Sequence, residues 1–356
     1  MGYLDENKKY VILSAPTGSG KSIIGIITAA CLAEIDKTYE PRQSCILMHN
    51  KTLQQQYIDF FEKYNDVINV KGASNYPCGV TMDTADDCLI HNIKKYKDRA
   101  IPKECHSCEF KRMRETRNDY AHIITNYSFF LISSLYSKSL KPSLITIYDE
   151  VHVLNDIFAN HMALKLSTNL FKALIRIIQT VPLDDITKKS YIDRFKGHSE
   201  DLVKKRVNDT NYSVYLQKVY TDIYNIGEKY KARAISHYLN NSTQLYKMYN
   251  KAGKRFENLF CKYDDLQKFN YEHVVDITNE QITVSPIFID KLFENIENSK
   301  YHLFMSATIN DYYIKKTFSL DENDIKFIKV KPIFPKESKR VVFINHDSYN
   351  YKTLKK

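Results

Sequence analysis

Ala15-Pro-Thr-Gly-Ser-Gly-Lys-Ser22 lies between a short apolar run, Tyr10 to Leu13, and a helix-like apolar segment, Ile23 to Ala33. A glycine-containing turn between a strand and a helix is where a phosphate loop belongs. Thr17, Gly18, Ser19 and Gly20 form the turn, and the glycines let successive backbone N–H groups face phosphate oxygens. Lys21 adds a point charge for the β and γ phosphates, and the Ser22 hydroxyl suits a Mg2+ ligand. The general pattern opens with glycine, whereas this stretch opens with Ala15.

Outward from the loop, Ser44-Cys-Ile-Leu-Met48 has the pattern of a buried strand and Leu53 to Tyr64 that of a helix. Strand and helix alternation of this kind implies a parallel sheet. Regularity returns at Ala121 to Tyr127 and again at Ser143-Leu-Ile-Thr-Ile-Tyr148. The second is a continuous apolar run with β-branched residues, which predicts a central parallel strand. It ends in Asp149-Glu-Val-His152. At the carboxyl end of such a strand, Asp149 is placed to hold Mg2+ directly or through water, and Glu150 to orient an attacking water. His152 falls near the γ-phosphate side, where it could couple hydrolysis to motion. The sheet resumes at Tyr301 to Ile309, and Ser306-Ala-Thr308 at its end supplies two hydroxyls able to link a nucleotide to a neighbouring domain. Thr308 is assigned to the nucleotide side. Ile325 to Val330 and Val341 to Asn345 read as further short strands.

Between about Asn155 and Asn298 the texture changes. Apolar residues recur three or four apart, as in Leu216, Val219, Tyr220, Ile223 and Tyr224, which predicts a helical insertion. Its tyrosines fit either a helical core or a base-stacking surface, and the spacing favours the core.

The chain has 356 residues, 43% hydrophobic and 26% charged, which fits two or three globular units and excludes a disordered polypeptide. A formal charge of +10 favours a polyanionic partner, though a lysine-rich composition alone gives such a value. No signal-peptide core is present. The longest apolar segment is broken by Gly25 and Thr28, so no membrane partner is expected. These features, with abundant Lys, Tyr and Asn and scarce Gly, point to a cytoplasmic protein of bacterial or viral-host origin, the nucleus staying open.

Seven cysteines without an export signal argue for metal ligation or core thiols rather than disulfides. Cys78, Cys88, Cys105 and Cys108 fall inside one irregular, polar segment and contain one C-x-x-C. Four thiolates can hold zinc or an iron–sulfur cluster, and the spacing leaves both open. Lys111-Arg-Met-Arg-Glu-Thr-Arg117 follows directly. It is either a solvated helix face or a stretch that tracks a phosphate backbone through Lys111, Arg112 and Arg114.

The order of these motifs resembles the superfamily-two iron–sulfur DNA helicases, the group of the xeroderma pigmentosum D and bacterial DinG proteins. It runs from the phosphate loop through Asn50-Lys-Thr-Leu-Gln-Gln-Gln56, four cysteines, Asp-Glu-Val-His and a long helical insertion to Met305-Ser-Ala-Thr-Ile309. An Ala-x-x-Gly-x-Gly-Lys loop is also how that superfamily is written. Lys71-Gly-Ala-Ser-Asn-Tyr-Pro-Cys78 is similar to the family's approach to its first cluster cysteine, and Asn118 to Tyr127 to its return into the sheet.

The resemblance implies an α/β fold, a parallel-sheet recombinase-like P-loop motor domain with two insertions. Motor domain 1 takes 1–72, 121–155 and 299–325; a cysteine-rich cluster domain takes 73–120; a helical arch takes 156–298. Residues 326–356 would begin a second motor domain, with the remainder expected in a downstream polypeptide. It implies ATP and Mg2+, a 4Fe–4S cluster on Cys78, Cys88, Cys105 and Cys108, and Thr52 as a backbone contact to nucleic acid. The implied activity is 5′ to 3′ translocation on single-stranded DNA with unwinding of forked duplexes. Two family features have no counterpart here: the glutamine-bearing adenine segment upstream of the loop, and the second-domain arginines that reach the γ-phosphate. The missing arginine is worth about 10³–10⁵ in turnover in related enzymes, so this polypeptide alone is expected to be a poor ATPase. The alternative is a nucleotide-dependent nucleic-acid binding or regulatory module without efficient turnover.

Overall fold

The structure is a computed structural model that describes residues 8–16, 18–37, 40, 42–61, 66–79, 83–88, 103–137, 140–240, 242–269, 272–296 and 299–331. Thr17 and the strand expected at Val341 to Asn345 lie outside the described residues.

In chain order the strands are β1 (Tyr10–Ser14), β2 (Ser44–Met48), β3 (Val67–Asn69), β4 (Pro77–Cys78), β5 (Asp83–Thr84) and β6 (His122–Asn126). They continue as β7 (Ile145–Asp149), β8 (Leu164–Ser167), β9 (His273–Ile277), β10 (Gln281–Pro286), β11 (Tyr301–Ser306) and β12 (Ile325–Lys329). The helices are α1 (Lys21–Ile35), α2 (Lys51–Phe61), α3 (Glu109–Thr116), α4 (Tyr127–Ile132) and α5 (Leu154–Met162). The later ones are α6 (Thr168–Thr180), α7 (Asp185–Val203), α8 (Tyr212–Leu239), α9 (Thr243–Phe269), α10 (Asp290–Ile296) and α11 (Asp311–Phe318).

Seven strands pair in the order β12-β1-β11-β7-β2-β6-β3, and every neighbouring pair is parallel. β1, β2 and β7 are buried along their whole length, as unbroken apolar runs must be when both faces of a sheet are covered. Helix α1 lies close on one face. A Cβ at Gly25 would stand 3.1 Å from the Met305 Cε and 3.2 Å from the Ile147 Cγ2, so a glycine is needed where helix and sheet meet. β12, Ile-Lys-Phe-Ile-Lys, is half-exposed and closes the sheet at an edge, where lysines discourage further strand pairing. It pairs with β1 from Tyr10↔Ile325 to Ser14↔Lys329. The domain boundary expected at 325/326 therefore falls inside a strand of the first sheet.

The insertion differs from a purely helical one. Between α5 and β11 lie four helices, α6 to α9, together with an antiparallel sheet of order β8-β10-β9 and the short α10. The boundary expected at 155/156 cuts α5, whose Leu154, Phe158 and Met162 are buried on one face. α8 and α9 run against each other at close quarters. A Cβ at Gly227 would meet Phe256 at 3.1 Å and one at Gly253 would meet Lys231 at 3.2 Å. Tyr220, Tyr230 and Tyr246 are buried between helices, and the Tyr220 and Tyr263 rings stack at 4.6 Å. Those tyrosines are core, as their spacing predicts, while Tyr224 stays exposed.

β4 and β5 pair antiparallel, with Pro77↔Thr84 and Cys78↔Asp83, and short turns at Ala85–Asp87 and Lys103–Cys105 lead into α3.

Candidate functional site

The strand order decides the site. β1, which leads into the loop, and β7, which ends in Asp149, are not neighbours; β11 lies between them. The carboxyl ends of all three strands open on one crevice, the place where ligands bind in parallel sheets. Ala15 N donates to the Ser306 carbonyl at 3.0 Å and ties the loop to β11.

Gly18 and Gly20 have φ of 82° and 79°, values that side chains resist. Gly20 caps α1 with no side-chain bond, and the first turn carries no acidic residue, so its N–H groups are left for an anion. A Cβ at Gly20 would meet nothing within 4 Å, so the space over the loop is open. The Ser19 Oγ is buried without a hydrogen-bond partner among the described residues. An orphaned hydroxyl beside free N–H groups suits phosphate oxygens.

Lys21 is buried, and its Nζ donates to the Ala15 carbonyl at 3.3 Å and stands 3.6 Å from the Glu150 Oε1. Glu150 has φ 54° and ψ 49°. This left-handed conformation costs a non-glycine residue about 1 kcal/mol, and it turns the carboxylate toward the loop. Its Oε2 accepts from the Ser306 Oγ at 3.0 Å. His152 Nδ1 is 2.7 Å from the same Ser306 oxygen and 3.3 Å from the Glu150 Oε2. With the Ser306 proton given to Glu150, His152 Nδ1–H is the donor to Ser306, which sets the imidazole tautomer. Thr308 N also donates to the Ser306 Oγ, at 3.3 Å. Thr308 itself is exposed and reaches the site through its backbone. Ser306, not the Thr308 hydroxyl, therefore joins this strand end to the acids.

Asp149 is 5% exposed and fully engaged. Its Oδ2 accepts from the Tyr57 hydroxyl at 2.8 Å, its Oδ1 from the Glu150 N at 3.1 Å, and its carbonyl from the Tyr127 hydroxyl at 2.6 Å. Burial pushes the carboxyl up; the Tyr57 bond and Lys21 pull it back, while the Glu150 charge adds to the rise. Burial followed by the Asp149 charge pushes the Tyr57 phenol up, which keeps its proton available for donation. Ser22 and Asp149 present oxygen ligands of the kind a hard divalent cation takes.

Tyr57 and Tyr127 are site residues that motif spacing did not select. The signal for Tyr57 is periodic: Gln54 and Tyr57, three apart, are the buried side of α2.

The other expected contacts sit elsewhere. Thr52 is exposed at the start of α2, next to Lys51, whose Nζ bonds the Asn75 Oδ1 at 2.7 Å. On α3, Phe110 and Met113 are buried, while Lys111 pairs with Glu115 at 3.8 Å and Arg112 with Glu109 at 4.0 Å. Arg114 lies over the Phe110 ring at 5.8 Å. Lys111, Arg112 and Arg114 are exposed on this short helix with part of their charge answered along it, whereas Arg117, just past its end, is buried.

Cys78, Cys88 and Cys105 are buried and Cys108 is half-buried, none of them in a disulfide. Burial raises the Cys105 thiol, and the charges of Cys88, Cys108 and Cys78, in that order, add to the rise. Among the described residues no three His, Cys, Asp or Glu side chains stand in a metal-holding arrangement. Among the described residues the four-cysteine ligand set expected from the sequence is therefore not assembled as a metal site. No described helix is long and apolar enough to cross a membrane.

Sheet order, loop and strand-end acids together define a P-loop motor domain. Residues 3–178 match the DEAD/DEAH box helicase family. No curated protein matches the chain by sequence. Among solved structures, an XPD helicase superimposes with a TM-score of 0.60 at 12% identity, over 92% of this chain and 60% of that one. A truncated XPD gives 0.51 at 12% identity, over 92% and 97%. The Xpd4 protein of S. tokodaii gives 0.50 at 12% identity, over 92% and 58%. At such identity the likeness is one of fold, and the chain spans about 60% of the XPD helicase it matches.

Proposed function

We propose that this chain is the nucleotide-binding motor portion of an ATP-dependent, iron–sulfur DNA helicase that moves 5′ to 3′ on single-stranded DNA and opens forked duplexes. The observation that carries it is the contact chain Lys21–Glu150–Ser306–His152, which joins the phosphate loop, the Asp-Glu-Val-His turn and the Ser-Ala-Thr strand end in one crevice.

Gly18 to Ser22 and the first turn of α1 cradle the ATP phosphates, with Thr17 completing the loop. Lys21, now turned to the Ala15 carbonyl and Glu150, swings its charge to the β and γ phosphates. Ser22 and Asp149 hold Mg2+, which neutralises phosphate charge. Glu150 orients a water and takes its proton. His152 and Ser306 fix the Glu150 carboxylate, so a shift of the β11 connection after hydrolysis reaches Glu150 directly. Thr52 and the α3 cations Lys111, Arg112 and Arg114 face nucleic acid. The full cycle calls on a second motor domain to supply arginine to the γ-phosphate.

DNA-stimulated ATP hydrolysis tests this. Lys21→Ala is expected to lose nucleotide binding, measured with a fluorescent analogue, and with it any stimulation by single-stranded DNA. Salt-sensitive DNA binding with no Lys21-dependent turnover would favour the binding-module alternative.

Cys78, Cys88, Cys105 and Cys108 are assigned to a 4Fe–4S cluster that pins the irregular segment beside α3. Their place within one polar segment, with Cys105 and Cys108 spaced as C-x-x-C, supports this. Anaerobically purified protein is expected to contain iron and sulfide and to absorb broadly near roughly 400 nm, as thiolate-bound clusters do. Cys105→Ser should bleach it. A colourless protein that carries zinc alone would reject the cluster.

A further inference from the structure

Helix α1 is apolar on both sides. Gly25, Ala29 and Leu32 are buried, whereas Ile23, Ile24 and Ile27 are 44%, 36% and 55% exposed. A helix that is apolar all round is normally covered all round. Exposed apolar side chains grouped on one surface mark a place where something binds.

The place of this patch on the helix says what that is. The helical ladder opens where the Ile24 N donates to the Gly20 carbonyl at 3.0 Å. The N–H of Ile23 comes before that first rung, among the groups left for phosphate oxygens. Its side chain therefore starts at the rim of the phosphate turn, and Ile27 stands about one turn, roughly 5.4 Å, further along. A nucleoside is tied covalently to its phosphates, so one held through Gly18 to Ser22 carries its ribose and base within reach of this rim. The patch has little with which to read a base. Thr28 is the first hydroxyl of α1 after Ser22, and its Oγ1 is spent on the Ile24 carbonyl at 2.7 Å. The three isoleucine side chains offer no hydrogen bond. Apolar contact discriminates weakly between bases, because strong selection requires buried polar groups that a wrong base leaves unpaired.

We infer that Ile23, Ile24 and Ile27 form an apolar ledge on which the ribose and base of the nucleotide rest, so that the cleft takes nucleoside triphosphates with little regard to the base. The inference rests on the nucleotide-cleft reading above and adds the substrate class of that site.

Titration calorimetry of the full chain with Mg2+ tests this, using non-hydrolysable analogues of ATP and GTP and, as a ligand without base or ribose, inorganic triphosphate. The proteins are wild type, the double variant Ile23→Ser with Ile27→Ser, and the apolar control Ile23→Leu with Ile27→Leu. Wild type is expected to bind the two analogues within about tenfold of one another. The serine variant should bind both about tenfold more weakly than wild type. Its affinity for inorganic triphosphate should stay that of wild type, which also shows that its loop is folded. The leucine variant should match wild type for all three ligands. A preference of more than about tenfold for one base would overturn the inference. So would an equal loss of inorganic triphosphate in the serine variant, or analogue affinities left unchanged there, the result expected if another protein covers α1 down to Ile35. Lys21→Ala separates the two levels. Lys21-dependent binding with a strong base preference removes only the ledge, whereas binding indifferent to Lys21 removes the nucleotide cleft and this inference with it.

Discussion

Glu150→Gln is expected to lower ATP hydrolysis by about 10²–10⁴, the usual contribution of a positioned general base, while nucleotide affinity stays close to that of wild type. Glutamine preserves the shape of the side chain, and its amide oxygen can still accept from the Ser306 hydroxyl that now bonds the Glu150 Oε2 at 3.0 Å. It removes the charge able to take a proton from water. The 3.6 Å contact with Lys21 also loses its attraction. Lys21 has the Ala15 carbonyl as a second partner, so the loop keeps its form. Steady-state hydrolysis and analogue binding measured on the same preparation check this. A parallel loss of binding and turnover would mean that Glu150 acts by holding the loop, and equal turnover in the two proteins would remove it from the chemistry.

The second large effect lies far from the cleft, in the arch insertion. Asp222 on α8 is 5% exposed and receives two side chains of α7: the His198 Nε2 at 2.9 Å and the Arg194 guanidinium at 2.6 Å. The Tyr215 hydroxyl bonds the His198 carbonyl at 2.7 Å and completes a polar knot between the two helices. Asp222→Ala is expected to destabilise the insertion by about 3 kcal/mol, the range for removing one member of a buried pair. The two partners do not contribute equally. His198 is 2% exposed and would be left without its acceptor, whereas the Arg194 side chain is 53% exposed and can turn to water. Arg194→Ala should therefore cost no more than about 1 kcal/mol. Urea unfolding followed by the helical circular dichroism signal separates the two variants.

The pH dependence has a fixed sign. Burial alone would raise the Asp222 carboxyl, but bonds from His198 and Arg194 outweigh it and hold the group below the ordinary carboxylate range. A depressed folded value means that stability is present above the unfolded value, about 4, and is lost as pH falls through the folded one. The stability gap between wild type and Asp222→Asn should be widest near neutrality and close below about pH 4. A gap that widened in acid would mean that the carboxyl is not ionised in the folded protein.

Much of this was legible in the chain because it is local. The glycines at 18 and 20 answer a backbone demand at their own positions, and φ near 80° at both is what the loop pattern requires. The unbroken apolar run before Asp149 announced a strand covered on both faces, and it is buried from Ile145 to Asp149. Tyr220 and Tyr230 of α8 obeyed helical spacing and went to the core. The strand at Ile325 to Val330 was legible too, but not the sheet it joins: it reads equally well as the start of another unit, whereas it pairs with β1 at the edge of the first sheet. The antiparallel strands β8 and β9 also escaped, since each is short and becomes a strand only by pairing with β10.

The sequence by itself determined the loop, the acidic strand end and the α/β alternation, because strand burial and glycine torsion are set within a few residues. Only the tertiary structure decided which of those ends meet. β11 lies between β1 and β7, and that order puts Ser306 on Glu150 across 156 positions of chain and Tyr57 on Asp149 across 92. Hydrogen bonds of this kind depend on the lateral order of strands, which closes only when the whole sheet forms, and no local pattern encodes it.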